Sequence, residues 1–275
     1  MCLIVFSVGR HPEFPLVMAA NRDEFFRRPT AAMDWWYSDT AGSEVLAGRD
    51  LQSGGTWLAV NAQGVVSAVT NVREANDMAA AHSRGELPLM AQALSTQELN
   101  RRLSSEQDHY AGFNLVRVDP DGGWYFSNRA AGASNRAAGA SHQGADSGRE
   151  IHHGIYGLSN HLLQTPWPKL LRLRRSVGET LEGALENNTD EIHDSLIGQL
   201  QDTTPAPDDQ LPDTGVGLAT ERFLSSPFIK SEEYGTRATT IVTVGKSGRI
   251  QVTEQSYGPN GEKSERRQFH WQRTA

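Results

Sequence analysis

Cys2 is the single thiol of the chain, and its position matters more than its number. Its small side chain permits an aminopeptidase to remove Met1, which would leave a thiol and a free α-amine on one carbon. Such an amine titrates near about 7.7–8.0 and can accept a proton at neutral pH. Nucleophile and general base then occupy one residue. One hairpin later comes the charged run Asn21-Arg22-Asp23-Glu24. Antiparallel pairing brings this run beside the N-terminal strand, where Asp23 can orient an α-amine and Arg22 can favour a thiolate. Amides follow at Asn71, Asn114 and Asn160, each within or at the end of an apolar run. Amide N–H groups suit the charge of a tetrahedral intermediate. Arg237, directly before an apolar run, predicts a buried cation.

These residues need strands to hold them. Apolar runs at 2–8 and 15–21 flank His11-Pro12-Glu13-Phe14-Pro15. Three further pairs flank turn segments at Asn61-Ala62-Gln63-Gly64, at Asp119-Pro120-Asp121-Gly122-Gly123 and at Gly245-Lys246-Ser247-Gly248, and read as hairpins. Helical periodicity marks 87–104, 166–187 and 189–201, with a shorter helix over 217–228. The second opens on Thr165-Pro166, read as an N-cap followed by proline in the first turn. Hairpins with helices grouped between them predict an α+β fold, two layers of antiparallel sheet with helices outside. Trp35-Trp36-Tyr37 reads as an aromatic cluster in a loop region, serving either the core or a pocket for a flat or apolar ligand.

Residues 129–148 differ from the rest. The heptad Arg-Ala-Ala-Gly-Ala-Ser-Asn at 129–135 recurs almost unchanged at 136–142. Such small residues bury too little surface to fold, so a flexible low-complexity loop is expected between strands ending near Asn128 and starting near Ile155. The Pro- and Asp-rich stretch 203–213 is expected to be flexible as well.

Composition narrows the function. With 26 Lys+Arg against 33 Asp+Glu the net charge is −7, which argues against a nucleic-acid partner. No run approaches the roughly 18 apolar residues of a membrane span. Leu3-Ile4-Val5-Phe6 has no basic residue before it and does not read as a secretory signal. One cysteine excludes an intramolecular disulfide, and a soluble cytoplasmic protein is expected. Scattered histidines and a lone thiol give no metal-site spacing. The G-x-S-x-G, Walker and G-x-G-x-x-G patterns do not occur.

Taken in order, Met1-Cys2, Asn21-Arg22-Asp23-Glu24, Ala47-Gly48-Arg49-Asp50, Ser53-Gly54-Gly55-Thr56-Trp57-Leu58, Thr70-Asn71, Ser83-Arg84-Gly85, Gly112-Phe113-Asn114-Leu115, Gly157-Leu158-Ser159-Asn160, Pro166-Trp167-Pro168-Lys169 and Gly235-Thr236-Arg237 form a pattern. It resembles the NRDE family, also called the Transport and Golgi organization protein 2 family, from Cys2 to about Val244. The repeat at 129–148 departs from it. The resemblance implies a single domain over 1–275 with a four-layer αββα sandwich similar to the N-terminal nucleophile hydrolases. Within these, the cholylglycine hydrolase and penicillin V acylase group is nearest. Cys2, Arg22, Asp23, Asn71, Asn160 and Arg237 can be laid onto that group's site. There the early Arg stands three residues before the Asp, a place held here by Ala20.

Two functions follow from the resemblance. One is a cysteine hydrolase acting on a C–N amide or acyl thioester bond through an acyl-enzyme, with no cofactor required. The other is a non-catalytic carrier of haem, an acyl lipid or a coenzyme A derivative in the same cleft. In the carrier, Cys2 or His161 would be an axial haem ligand.

Overall fold

The computed structural model describes residues 2–75, 80–129 and 148–273. Met1 and most of the expected loop, 130–147, lie outside the described residues. Strands β1 (Cys2–Val8) and β2 (Leu16–Phe25) form the first hairpin. Every residue of β1 is buried, because both of its faces are covered. Strands β3 (Thr30–Ser38), β4 (Ser43–Asp50), β5 (Leu58–Val60) and β6 (Val66–Asn71) follow. Next come helices α1 (Leu87–Ala93) and α2 (Thr96–Glu106), then strands β7 (Phe113–Asp119), β8 (Gly122–Ser127), β9 (Arg149–Ile151) and β10 (Gly154–Leu158). Helices α3 (Pro168–Glu182), α4 (Thr189–Leu200) and α5 (Leu218–Phe223) precede strands β11 (Tyr234–Val244), β12 (Arg249–Tyr257) and β13 (Lys263–Gln272).

The strands form two antiparallel sheets, ordered β10-β1-β2-β11-β12-β13 and β3-β4-β5-β6-β7-β8-β9. Alternation along each strand assigns its two faces to different layers. Ile4, Phe6, Leu16 and Met18 meet Leu46, Leu58, Val66 and Val116 between the sheets. Leu3, Val5, Val17 and Ile241 face the other way, onto Leu170, Leu173 and Val177 of α3 and Leu196 of α4. Outside the second sheet, Phe113, Leu115 and Phe126 pack on Leu87 and Met90 of α1 and on Leu99 and Leu103 of α2. The layering is αββα. No helix among the described residues is long and apolar enough to cross a membrane.

Several elements differ from the sequence reading. The helix expected over 87–104 is two, because Ser95 and Glu98 form a capping box that starts α2. Trp167, not Thr165, is the N-cap of α3, with Pro168 in its first turn; the Thr165 hydroxyl donates to the Leu162 carbonyl instead. The short helix expected over 217–228 covers only Leu218–Phe223. Trp35-Trp36-Tyr37 lies on strand β3, not in a loop. Trp35 packs edge-on against Trp271 with ring centres 5.1 Å apart, and Tyr37 is exposed. Strand β13, which the sequence did not reveal, is a charged edge with mostly exposed residues, a form that resists pairing with other chains.

Glu254 joins the sheets. Its carboxylate accepts the Met33 backbone N–H across the interface at 2.7 Å. Burial raises its pKa from 4.5 to about 7, against the lowering effect of that hydrogen bond. The stability this group contributes is full below about 4.5 and is lost as pH rises through about 7. Glu254→Gln keeps an acceptor for Met33 and removes the titration. In urea melts it should gain on the wild type by up to about 3 kcal/mol between pH 5 and pH 8. Parallel pH profiles would show that the carboxyl is not buried as described.

Candidate active site

The first hairpin places Cys2 directly opposite Arg22. Cross-strand partners share a face, so both point between the sheets while Asn21 and Asp23 point toward the helices. This alternation divides the charged run into separate tasks. Asn21 Nδ2 donates to the Leu200 and Pro227 carbonyls, both at 2.9 Å, tying β2 to the end of α4. Asp23 accepts the Thr236 hydroxyl of β11 at 2.7 Å. The Arg22 guanidinium stacks 4.1 Å from the Trp57 ring. Trp57 in turn rests on Gly48, where a Cβ would overlap its ring.

Cys2, Arg22, Asp23, Glu24 and Asn71 line a cavity of about 470 Å³, within the range of organic-ligand pockets. Its lining is largely polar: it includes Arg28, paired with Asp50 at 2.7 Å, and His82, Ser83 and Arg84. The loop carrying Ser83 closes against Ser53–Trp57 through a Thr56 N–H bond to the Gly85 carbonyl at 2.8 Å. Gly55 and Gly85 approach there so closely that a Cβ on Gly55 would meet Gly85 backbone. Burial raises the Cys2 pKa and Asp23 adds to this, while Arg22 draws it down. The chain's N-terminal ammonium also draws it down, but burial prevails and disfavours the thiolate, so the thiol needs a proton acceptor to react.

Behind the cavity lies a buried charge cluster. Burial raises the Asp23 pKa, opposed by Lys169, the Thr236 hydroxyl and Arg73. Lys169 is 3% exposed, and its Nζ donates to the Leu224 carbonyl at 2.8 Å. Burial lowers its pKa to about 8, although Asp23 favours the charged form. Arg73 pairs with Glu221 and lies 4.8 Å from the Trp167 ring.

The structure gathers Cys2, Arg22, Asp23 and Asn71 around one cavity but leaves Asn160 and Arg237 out of its lining. Asn160, fully buried, donates from Nδ2 to the Asn71 carbonyl at 3.1 Å, one layer behind the cavity. Arg237 is half-buried; it donates to the Phe25 and Arg28 carbonyls and to the Thr30 hydroxyl, facing a different cavity. Despite Ala20 holding the expected place, Arg22 stands opposite the thiol because register, not spacing from Asp23, sets its direction. Asn114 joins a structural chain, donating to Thr70 at 3.0 Å and accepting the Tyr125 hydroxyl at 2.8 Å. His161 bonds Thr165 at 2.9 Å, and neither it nor Trp35-Trp36-Tyr37 lines the Cys2 cavity.

Lys169 enters the sequence pattern only within Pro166-Trp167-Pro168-Lys169, with no role attached, and Arg73 does not enter it. A lysine just after the proline that opens α3 sits at the positive end of the helix dipole, where a cation is disfavoured. That misplacement was the available signal for a buried anion nearby.

The Transport and Golgi organisation 2 family model matches residues 1–259. The chain is 31% identical over 277 residues to the Transport and Golgi organization protein 2 homolog of Bos taurus, with 93% of each covered. The Homo sapiens homolog is 32% identical at the same coverage, and the Drosophila melanogaster protein 25% identical over 286 residues, 95% of each. Among solved structures, a Caenorhabditis elegans N-acylethanolamine-hydrolyzing acid amidase ortholog is similar with TM-score 0.42 and 12% identity, covering 82% of this chain and 98% of that one. A conjugated bile acid hydrolase from Clostridium perfringens gives 0.43 and 10%, covering 100% and 98%. Nothing about the reaction follows from likeness at this level.

Proposed function

The chain belongs to the Transport and Golgi organisation 2 family, and we propose that it is a cysteine hydrolase acting on an acyl amide or acyl thioester in the Cys2 cavity. One observation carries this reading: a thiol on the first strand borders a polar cavity, directly opposite a buried arginine. With Met1 removed, the α-amine of Cys2 accepts the thiol proton as sulfur attacks the substrate carbonyl carbon. Asn71, bordering the same cavity, donates to the oxyanion, and Asn160 positions Asn71 through its carbonyl. Arg22 favours the charged sulfur, and Asp23 orients the amine. Collapse of the intermediate breaks the C–N bond, and the leaving amine takes the proton held by the α-ammonium. The acyl group stays on sulfur. The α-amine then deprotonates a water that attacks the thioester carbon; the C–S bond breaks, the acid leaves and the thiol is restored.

Intact mass tests both requirements of this scheme. The purified chain should lack Met1, and acid quenching during turnover should trap one acyl group from a member of a panel of N-acyl amides and acyl thioesters. A chain that keeps Met1, or takes up no acyl group across the panel, ends the proposal.

A further inference from the structure

A second cavity, of about 240 Å³, lies on the other side of the Arg22–Trp57 pair, which lines both. Three separate strand irregularities converge on it. Pairing of β2 with β11 shifts register between Thr236 and Ala238, that of β12 with β13 between Gln255 and Tyr257, and that of β3 with β4 between Ala31 and Asp34. The residues at those shifts, Arg237, Ser256 and Ala32, all line the cavity. Bulges bend a strand and re-aim a side chain, and they concentrate next to functional sites. Three of them around one space between two sheets hold that space open where close packing would otherwise fill it.

Two arginines, Arg22 and Arg237, and two glutamates, Glu254 and Glu265, line this space, but Glu265 is paired with Arg267 at 2.7 Å, on strand β13. The Thr30 hydroxyl donates to the Arg28 carbonyl at 3.2 Å and accepts from both Arg22 at 3.4 Å and Arg237 at 3.2 Å. Two guanidinium groups thus converge on one neutral oxygen. Among the described residues neither has a carboxylate at ion-pair distance, and Arg22 is 6% exposed. A buried cation without a directly paired counter-ion is costly, and a second cation beside it adds repulsion. Burial and then Arg22 lower the Arg237 pKa, against the more distant carboxylates Glu24 and Asp50, which raise it. Glu254 also lines the cavity, but its carboxylate is held by the Met33 N–H at 2.7 Å and the Thr240 hydroxyl at 3.4 Å. It does not bridge the arginines.

A planar oxyanion is the group that two guanidinium forks recognise. The carboxyl of Glu254 on the same wall disfavours a dianion. The volume falls below that of pockets for drug-sized molecules. We propose that this cavity is a binding site for a small monocarboxylate, held between Arg22 and Arg237. The site shares Arg22 with the hydrolase reading but does not involve the thiol, so butyrate binding and acyl uptake can fail separately.

Calorimetric titration of the full chain with butyrate, butyramide and inorganic phosphate at low salt tests it. Butyrate should bind saturably, and the neutral butyramide should not. Arg237→Gln should weaken butyrate binding by roughly ten- to a hundredfold, the scale of a lost hydrogen bond to a charged group. Because Arg237 also holds two backbone carbonyls, a second variant guards against misfolding. Ala32→Leu fills the cavity without removing either arginine and should abolish butyrate binding while the chain melts cooperatively. Wild type that shows no saturable butyrate binding, or both variants binding like wild type, would overturn the site. Phosphate binding more tightly than butyrate with the same dependence on Arg237 would overturn the monocarboxylate assignment.

Discussion

A Cys2→Ala chain is expected to lose turnover of the best amide or thioester substrate by several orders of magnitude, as removal of a nucleophile does in other catalytic units. It should also carry no acyl group after acid quenching. The fold should survive, because Cys2 packs among Ile4 and Leu158 between the sheets and alanine is accommodated there with the loss of one buried sulfur. The thiol's environment gives a companion measurement that needs no substrate. Burial and Asp23 push the thiol pKa up and Arg22 pulls it down. Removing that cation in Arg22→Met should move the pH dependence of iodoacetamide alkylation to higher pH, because only the thiolate reacts. Turnover unchanged in Cys2→Ala would sink the hydrolase proposal. An unmoved alkylation profile in Arg22→Met would remove Arg22 from it.

The largest stability effect is expected behind the site. The Arg73 and Glu221 side chains are 4% and 2% exposed, and Glu221 also accepts the Thr214 N–H and hydroxyl at 2.9 and 2.6 Å. Glu221→Ala leaves a buried guanidinium uncompensated, a loss of about 3–5 kcal/mol. For a chain of this size the melting temperature should fall by roughly 10 °C. The double variant Arg73→Met with Glu221→Leu should recover most of that loss, because well-packed apolar residues replace a buried pair at little cost. Calorimetry decides: a Glu221→Ala chain melting within a degree or two of wild type would show that the pair is not sealed from water.

The parts of the site that could be read from sequence were local. The first hairpin needs only two apolar runs around a short turn, and once it forms, position 2 must lie near position 22. The turn at 245–248 was equally legible; its Gly245 N–H meets the Arg249 carbonyl at 2.8 Å. Strands β3 and β13 were not legible, for a definite reason. A register shift breaks the alternation of β3, and β13 is an edge whose exposed charges hide the period-two signal. Asn160 could be named as an amide at a strand end. Its turning to the Asn71 carbonyl instead of the cavity depends on two chain segments 89 residues apart.

The sequence alone determined the strand pairs, the α+β class, the family pattern and the pairing of a thiol with a charged run, because these follow from turn chemistry and short-range alternation. The tertiary structure decided which layer each member of that run faces. It sent Arg22 between the sheets with Cys2 and Asp23 toward Lys169, and it turned Arg237 into a second cavity. Strand alternation fixes only that neighbours point in opposite directions; which direction meets a sheet, a helix or an open space is set by the elements that cover each face. The bulges that opened the second space and drew two arginines to one hydroxyl belong to pairings between distant strands, which no local pattern encodes.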